Sequence, residues 1–127
     1  MRDMKTIICG SRKIRNRRDV ELALAECPFI GSISEIVHGN AVGVDRIVHQ
    51  IANDLMLPVK VFPVTRDDYN KFSRSAPIIR NQQMIDYADA CIVIWDGVSS
   101  GTRSMIKFAK LKKLQLFIHK VNKEKRR

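Results

Sequence analysis

Three short segments of the sequence combine glycine with hydroxyl, amide or charged side chains. They are Gly10-Ser11-Arg12, then Gly39-Asn40 with Gly43-Val44-Asp45, and finally Asp96-Gly97 with Ser99-Ser100-Gly101-Thr102. A phosphate needs several converging N–H donors, and glycine lets the backbone approach it closely. The hydroxyls would add donors, and Arg12 and Arg80 would add charge with a fork geometry that suits phosphate. These residue types indicate a site for a phosphorylated ligand.

Two common nucleotide-binding fingerprints are missing. No Gly-x-Gly-x-x-Gly follows the first apolar run, and no Gly-x-x-x-x-Gly-Lys-Ser/Thr occurs, so neither a conventional dinucleotide site nor a P-loop is expected. Cys9, Cys27 and Cys91 lack the close Cys or His spacing of a metal site and are expected to be small buried hydrophobes. We therefore predict no metal and no resident cofactor.

The elements that must position these segments alternate along the chain. Apolar runs predict strands at residues 6–9, 33–38, 59–62, 90–95 and 114–119. Helical spacing predicts helices near residues 19–27, 44–55, 77–88 and 102–113. The clearest periodicity is the apolar face Val44, Ile47, Val48, Ile51, Ala52 and Leu55. The polar stretch from Thr65 to Ala76 is predicted to be a loop with room for one helical turn.

This alternation predicts an α/β protein, a single Rossmann-like three-layer domain over residues 1–120 with a mostly parallel sheet of about five strands. In such a sheet, ligands bind at the carboxyl ends of the strands. The three glycine segments follow the first, second and fourth predicted strands, so they should meet at one edge. Residues 121–127 are expected to be a basic, flexible tail.

Composition narrows the setting of the protein. The chain has 127 residues, 45% of them hydrophobic, which suits one globular domain. No run approaches the length of a membrane span and no signal peptide is evident, so a cytoplasmic protein with no membrane contact is expected. The formal net charge is +10, which admits a nucleic-acid partner through a basic surface.

Four motifs occur in a fixed order along the chain. They are Ile7-Ile8-Cys9-Gly10-Ser11-Arg12, His38-Gly39-Asn40-Ala41-Val42-Gly43-Val44-Asp45-Arg46, Arg80-Asn81-Gln82-Gln83-Met84, and Trp95-Asp96-Gly97-Val98-Ser99-Ser100-Gly101-Thr102-Arg103. Together they resemble the YspA-like branch of the SLOG superfamily, from about Lys5 to His119. That superfamily is related to the LOG (lysine-decarboxylase-like) and DprA Rossmann-like domains. Four ordered motifs are far more specific than any one alone.

The resemblance implies a Rossmann-like fold, a site for nucleotide-derived ligands and a homodimer or higher oligomer. It places Asn81 in the site beside Arg80. One departure bears on catalysis. LOG-type hydrolases carry a glutamate after their Gly-Thr loop, whereas Arg103-Ser104-Met105 follows here, and neither a cationic nor an apolar group can act as that carboxylate base. Asp96 and Asp45 remain the candidate catalytic acids, and His38 is expected to be a hydrogen-bonded polar residue.

Three functions follow as hypotheses. The first is a sensor or sequestering module that binds AMP, ADP-ribose or an NAD-derived ligand at the strand-end loops. The second is an N-glycosidic hydrolase or transferase acting on nucleotides, so whether the protein is an enzyme stays open. The third is DprA-like binding of single-stranded nucleic acid, which the charge favours and the scarcity of aromatic residues disfavours.

Overall fold

Five parallel strands form the central sheet of the computed structural model, which describes residues 3–121. The strands are β1 (Met4–Gly10), β2 (Ile33–His38), β3 (Val59–Val61), β4 (Ala90–Trp95) and β5 (Gln115–Lys120). Their spatial order is β3-β2-β1-β4-β5, and every neighbouring pair is parallel. The order therefore reverses direction at β1, whose Ile7 pairs with Val37 on one side and Cys91 on the other.

Helices cover both faces of the sheet. They are α1 (Arg17–Glu26), α2 (Val44–Asp54), α3 (Arg66–Phe72), α4 (Ala76–Tyr87) and α5 (Ser100–Leu111), with short 3₁₀ turns at Ile30–Ser32 and Ser73–Ser75. Ile8 and Ile92 point to the face covered by α1 and α2, and Ile7 and Cys91 to the face covered by α4 and α5. This alternation is the period of a strand, and both faces are apolar because both are covered. The predicted three-layer α/β fold is confirmed.

The predicted loop between Thr65 and Ala76 is wrong, because a seven-residue helix, α3, forms there. The Thr65 side chain accepts from the Asp68 N–H at 3.1 Å, and the Asp68 carboxylate accepts from the Thr65 N–H at 2.9 Å. This capping box satisfies two backbone donors at the helix start. The helix buries no residue, so it lacks the apolar periodicity by which the other helices are predicted.

Other boundaries moved by a few residues. The last helix begins at Ser100 instead of Thr102, and β1 extends from Met4 to Gly10.

The three cysteines are free and buried, as predicted. Val121 is also buried, and its N–H donates to the Trp95 carbonyl at 2.8 Å. The rest of the predicted basic tail, residues 122–127, lies outside the described residues.

None of the helices in the described part of the chain is both long and apolar enough to span a membrane.

Candidate functional site

A cleft of about 540 Å³ opens at the carboxyl edge of the sheet, beside the loops that follow β1 and β4, the two strands between which the strand order reverses. In open α/β sheets, this reversal of strand order is where ligands bind. Its lining is Cys9, Gly10, Arg12, Lys13, Ala41, Asp45, Pro77, Arg80, Asn81, Met84, Asp96, Val98, Ser99, Ser100, Gly101, Thr102 and Met105. The three glycine segments predicted to meet at one edge therefore all reach this cleft.

Ser11 joins the loops on the two sides of the cleft. It is 1% exposed, and its Oγ accepts from the Asp96 N–H at 3.0 Å and from the Ser99 hydroxyl at 3.1 Å. Its own N–H donates to the Ile94 carbonyl at 3.1 Å. Ser11 does not line the cleft, so its position supports a role in holding the loops and not in direct contact with a ligand.

Asp45 organises the loop that follows β2. One oxygen of its buried carboxylate accepts from the N–H groups of Gly39 and Ala41, each at 3.1 Å. Burial raises the pKa of Asp45, and these two hydrogen bonds and the charge of Arg80 oppose the rise. Gly43 starts α2 with a φ of 87°, and a Cβ there would come within 2.7 Å of the Ser11 carbonyl oxygen. Gly43 therefore serves close backbone packing behind the cleft.

Arg80 reaches from α4 across the β2 loop. Its Nη1 donates to the carbonyl of Gly39 at 2.8 Å and to that of Phe62 at 3.4 Å, and its Nε donates to the Asn81 side-chain oxygen at 3.0 Å. A Cβ on Gly39 would lie 2.0 Å from Nη1, so any other residue at this position would displace the guanidinium from the Gly39 carbonyl. Burial lowers the pKa of Arg80, and the carboxylate of Asp45 is the strongest influence that raises it.

The first turn of α5 borders the cleft. Asp96 accepts from the N–H groups of Val98 at 2.9 Å and Ser99 at 3.0 Å, which shapes the approach to the helix. Among the described residues, no side chain caps the start of α5. The first two residues of the helix, Ser100 and Gly101, line the cleft. An uncapped helix start offers N–H donors and the positive end of the helix dipole to an anion.

The charges along the cleft favour an anionic ligand. Arg12, Lys13 and Arg80 line it, against the carboxylates of Asp45 and Asp96. Arg12 and Lys13 are exposed, so their side chains can reorient toward a ligand. Both carboxylates already accept backbone N–H groups, which partly offsets their charge. The arrangement is suited to phosphate, a group that takes several N–H donors and a cation.

The predicted site residues divide into three groups. Ten of them line the cleft: Gly10, Arg12, Asp45, Arg80, Asn81, Asp96, Ser99, Ser100, Gly101 and Thr102. Gly39 and Asn40 line a second pocket of about 190 Å³ that shares Arg12, Ala41, Pro77 and Arg80 with the cleft. Ser11, Gly43 and Gly97 line neither pocket.

Some lining residues were not predicted. Lys13 stands next to Arg12 in sequence and is identifiable only as part of a basic run. Cys9, Met84 and Met105 form apolar lining, and their positions follow from strand and helix packing that the sequence alone does not reveal. His38 is wholly buried and bonded on both ring nitrogens, to the Asn40 N–H and to His49 at 2.9 Å each, which confirms the prediction of a satisfied polar residue.

Gly97-Val98-Ser99-Ser100-Gly101 also has the letters of the Gly-x-Ser-x-Gly turn in which serine hydrolases carry their nucleophile. The setting between β4 and α5 matches that turn. The Ser99 hydroxyl, however, donates to Ser11 at 3.1 Å, and no histidine is part of the cleft lining in the described chain. The histidine that activates the serine in that class of enzyme is therefore missing from the described lining, and the Ser99 hydroxyl instead joins the loops after β1 and β4.

Comparisons with known proteins give one related fold. No known protein family matches the sequence, and no curated protein matches it. Among solved structures the chain is similar to DNA processing protein A (DprA) from Helicobacter pylori, a structure described for its mode of single-stranded DNA binding. The TM-score is 0.65 at 17% sequence identity, over 90% of this chain and 64% of that chain. This chain thus spans less than two thirds of that protein's length, and the likeness shows a DprA-like Rossmann fold.

Proposed function

We propose that the cleft binds the phosphate of a nucleotide or nucleotide-derived ligand of the AMP, ADP-ribose or NAD-derived class, as a sensor or sequestering module. The observation that carries the proposal is the uncapped first turn of α5 beside three cationic side chains. A Cβ built on Gly101 would meet no described atom within 4 Å, so the backbone there is open to close approach. A phosphate at this point would accept backbone N–H groups and pair with Arg12 or Lys13.

The size of the cleft fits one nucleotide-sized molecule. Ligand pockets for molecules of this size span roughly 300–1,000 Å³, and the cleft of about 540 Å³ lies within that range. Membership of the YspA-like branch of the SLOG superfamily is part of the same proposal. It is supported by the position of the Arg80-Asn81 motif and of the Ser99 to Thr102 segment on the cleft lining.

A binding panel tests the proposal. Thermal or chemical denaturation is followed with AMP, ADP-ribose, NAD and cyclic ADP-ribose isomers. A ligand present at 100 times its Kd should stabilise the fold by about 2.7 kcal/mol. Lys13→Gln should weaken the effect, whereas Lys110→Gln, an exposed lysine of α5 outside the cleft, should not. If no ligand of the panel stabilises the fold at millimolar concentration, the proposal is wrong.

Single-stranded nucleic acid is the second candidate, and the structural comparison favours it over the first. The DprA-like neighbour is described as binding single-stranded DNA, and this chain carries a formal charge of +10. Arg12, Lys13 and Arg15 are exposed on the loop that follows β1, so a strand's phosphates could pass along this loop into the cleft.

A salt titration with a labelled single-stranded oligonucleotide tests this candidate. The logarithm of the binding constant should fall with the logarithm of salt concentration by about 0.7 per phosphate neutralised. Replacing both Arg12 and Lys13 by glutamine should therefore reduce the slope by about 1.4, while Lys107→Gln with Lys110→Gln should leave it unchanged. Absence of binding at low salt would remove this candidate. The N-glycosidic reaction and the homo-oligomer stay predictions.

A further inference from the structure

One side of the second pocket is built by a part of the chain that no sequence motif marks. Pro63 and Val64 from the segment after β3, together with Tyr69 from α3, form one side of it. Asn40 and Arg80 bring hydrogen-bonding groups to it. At about 190 Å³, it is smaller than the roughly 300 Å³ at which pockets for whole ligands begin. It therefore has room for a part of a ligand.

Arg80 connects this pocket to the cleft. It lines both, and its bonds to Gly39, Phe62 and Asn81 use only Nε and Nη1. The N–H groups of Nη2 are not committed by these bonds. Arg12, Ala41 and Pro77 also belong to both linings, so the two pockets adjoin and a molecule bound in the cleft has the second pocket next to it.

Tyr69 is an aromatic side chain without an aromatic partner. Its side chain is 49% exposed, and none of the ring pairs between described residues includes it. Phe62 and Tyr87, in contrast, pack edge to face at 5.6 Å, and Trp95 lies under the guanidinium of Arg103 at 5.8 Å. The capping box at the start of α3 fixes the helix that carries Tyr69. An exposed aromatic ring that lines a pocket offers a stacking surface to a flat ligand group.

We infer that the second pocket takes the nucleobase of the molecule whose phosphate the cleft holds, with Tyr69 as the stacking surface. This inference rests on the proposed function. Proline and valine walls suit the apolar faces of a base, and Asn40 and Arg80 suit its polar edge. The same chemistry serves a free nucleotide or one unit of a single strand, so the test separates these two sources.

The test compares ligands with and without a base. One pair is the four ribonucleoside 5′-monophosphates against ribose 5-phosphate, and the other is an oligothymidylate against an abasic oligomer of equal length, all measured by calorimetry. In whichever pair binds, Tyr69→Ala should lower the affinity for the base-bearing ligand by roughly 5- to 150-fold, the range of base–aromatic stacking. The affinity for the base-free ligand of that pair should not change. Tyr69→Phe should retain affinity, and so should Asn70→Ala, an exposed neighbour on α3 outside both pockets.

The outcomes are distinct. If the base-free ligands bind as tightly as the base-bearing ones, the inference is wrong and the proposed phosphate site stands. The inference also fails if Tyr69→Ala weakens both members of a pair equally, because Tyr69 then acts through the fold. If no ligand of either pair binds the wild-type chain, the inference is wrong, and the panel with ADP-ribose, NAD and cyclic ADP-ribose isomers decides the proposed function separately. A selective loss in the first pair identifies a free nucleotide, and a selective loss confined to the second identifies a strand.

Discussion

The buried His38, bonded to the half-buried His49, should make the stability of the protein depend on pH in a defined window. The His38 Nδ1 accepts from the Asn40 N–H, so this nitrogen carries no proton and Nε2 donates to His49 at 2.9 Å. Burial is the main cause that lowers the pKa of His38 to about 4, with the charges of His49 and Arg80 contributing. Protonation of Nδ1 would break the bond to Asn40, in the loop between the two pockets.

The sign follows from proton binding. The unfolded chain takes up a proton on His38 near its ordinary pKa of about 6.5, whereas the folded chain resists until about pH 4. As the pH falls through this window, the unfolded state gains protons that the folded state does not, so the free energy of unfolding falls. The expected loss from this residue is about 2 kcal/mol between pH 7 and pH 5, and about 3 kcal/mol by pH 4.

Urea denaturation of the wild-type protein and of His38→Gln at pH 7, 6 and 5 measures this loss. Glutamine does not titrate and can still donate toward His49. Because every other ionisable side chain is the same in both proteins, its contribution largely cancels in the difference. The wild-type protein should lose about 2 kcal/mol more than His38→Gln. Equal slopes for wild type and His38→Gln would refute the reasoning.

Three further predictions concern the elements around the cleft. Gly10→Ala should destabilise the fold by about 3 kcal/mol in urea denaturation, because its Cβ would lie 2.1 Å from the Ile94 carbonyl oxygen. A Cβ on Gly101 has open space around it, so Gly101→Ala should leave the free energy of unfolding within about 1 kcal/mol of wild type. The same variant should reduce nucleotide affinity measured by calorimetry. Arg80→Lys loses the fork that spans two carbonyls and an amide, and should weaken nucleotide binding about tenfold or more. Thr65→Ala removes one half of the capping box, costs about 1 kcal/mol and should increase amide exchange in α3 without changing exchange in the sheet. Unchanged stability in Gly10→Ala, unchanged affinity in Arg80→Lys or unchanged α3 exchange in Thr65→Ala would contradict the respective argument.

The sheet and its edge were predictable because their signals are local and strong. Ile92 and its neighbours form a continuous apolar run, which is typical of a strand buried on both faces, and the strand-end rule then places the glycine loops at one edge. The helix α3 was not predictable from periodicity, since it buries none of its residues. Its signal is the Thr65 to Asp68 capping box, a pattern that polar loops also contain.

Within the site, residue type predicted the neighbourhood but not the direction of each side chain. Gly10 and Gly43 carry the same signal in sequence, yet Gly10 lines the cleft and Gly43 packs against the Ser11 backbone. Asp45 was a candidate acid, and its buried carboxylate holds its own loop. Tyr69 carried no signal, because its pocket depends on a helix outside the predicted elements.

The hydroxyl of Ser11 ties the loop after β4 to the end of β1 before any ligand arrives. By accepting from the loop after β4 while its own backbone continues β1, it clamps the two walls of the crevice to each other. A ligand that enters such a crevice does not have to order the protein loops around it, so little of the free energy of its contacts is lost to loop ordering. Binding should therefore resemble insertion into a rigid slot. Ser11→Ala would convert it into a binding event that must first draw the walls together, with a slower association rate and a larger entropic cost.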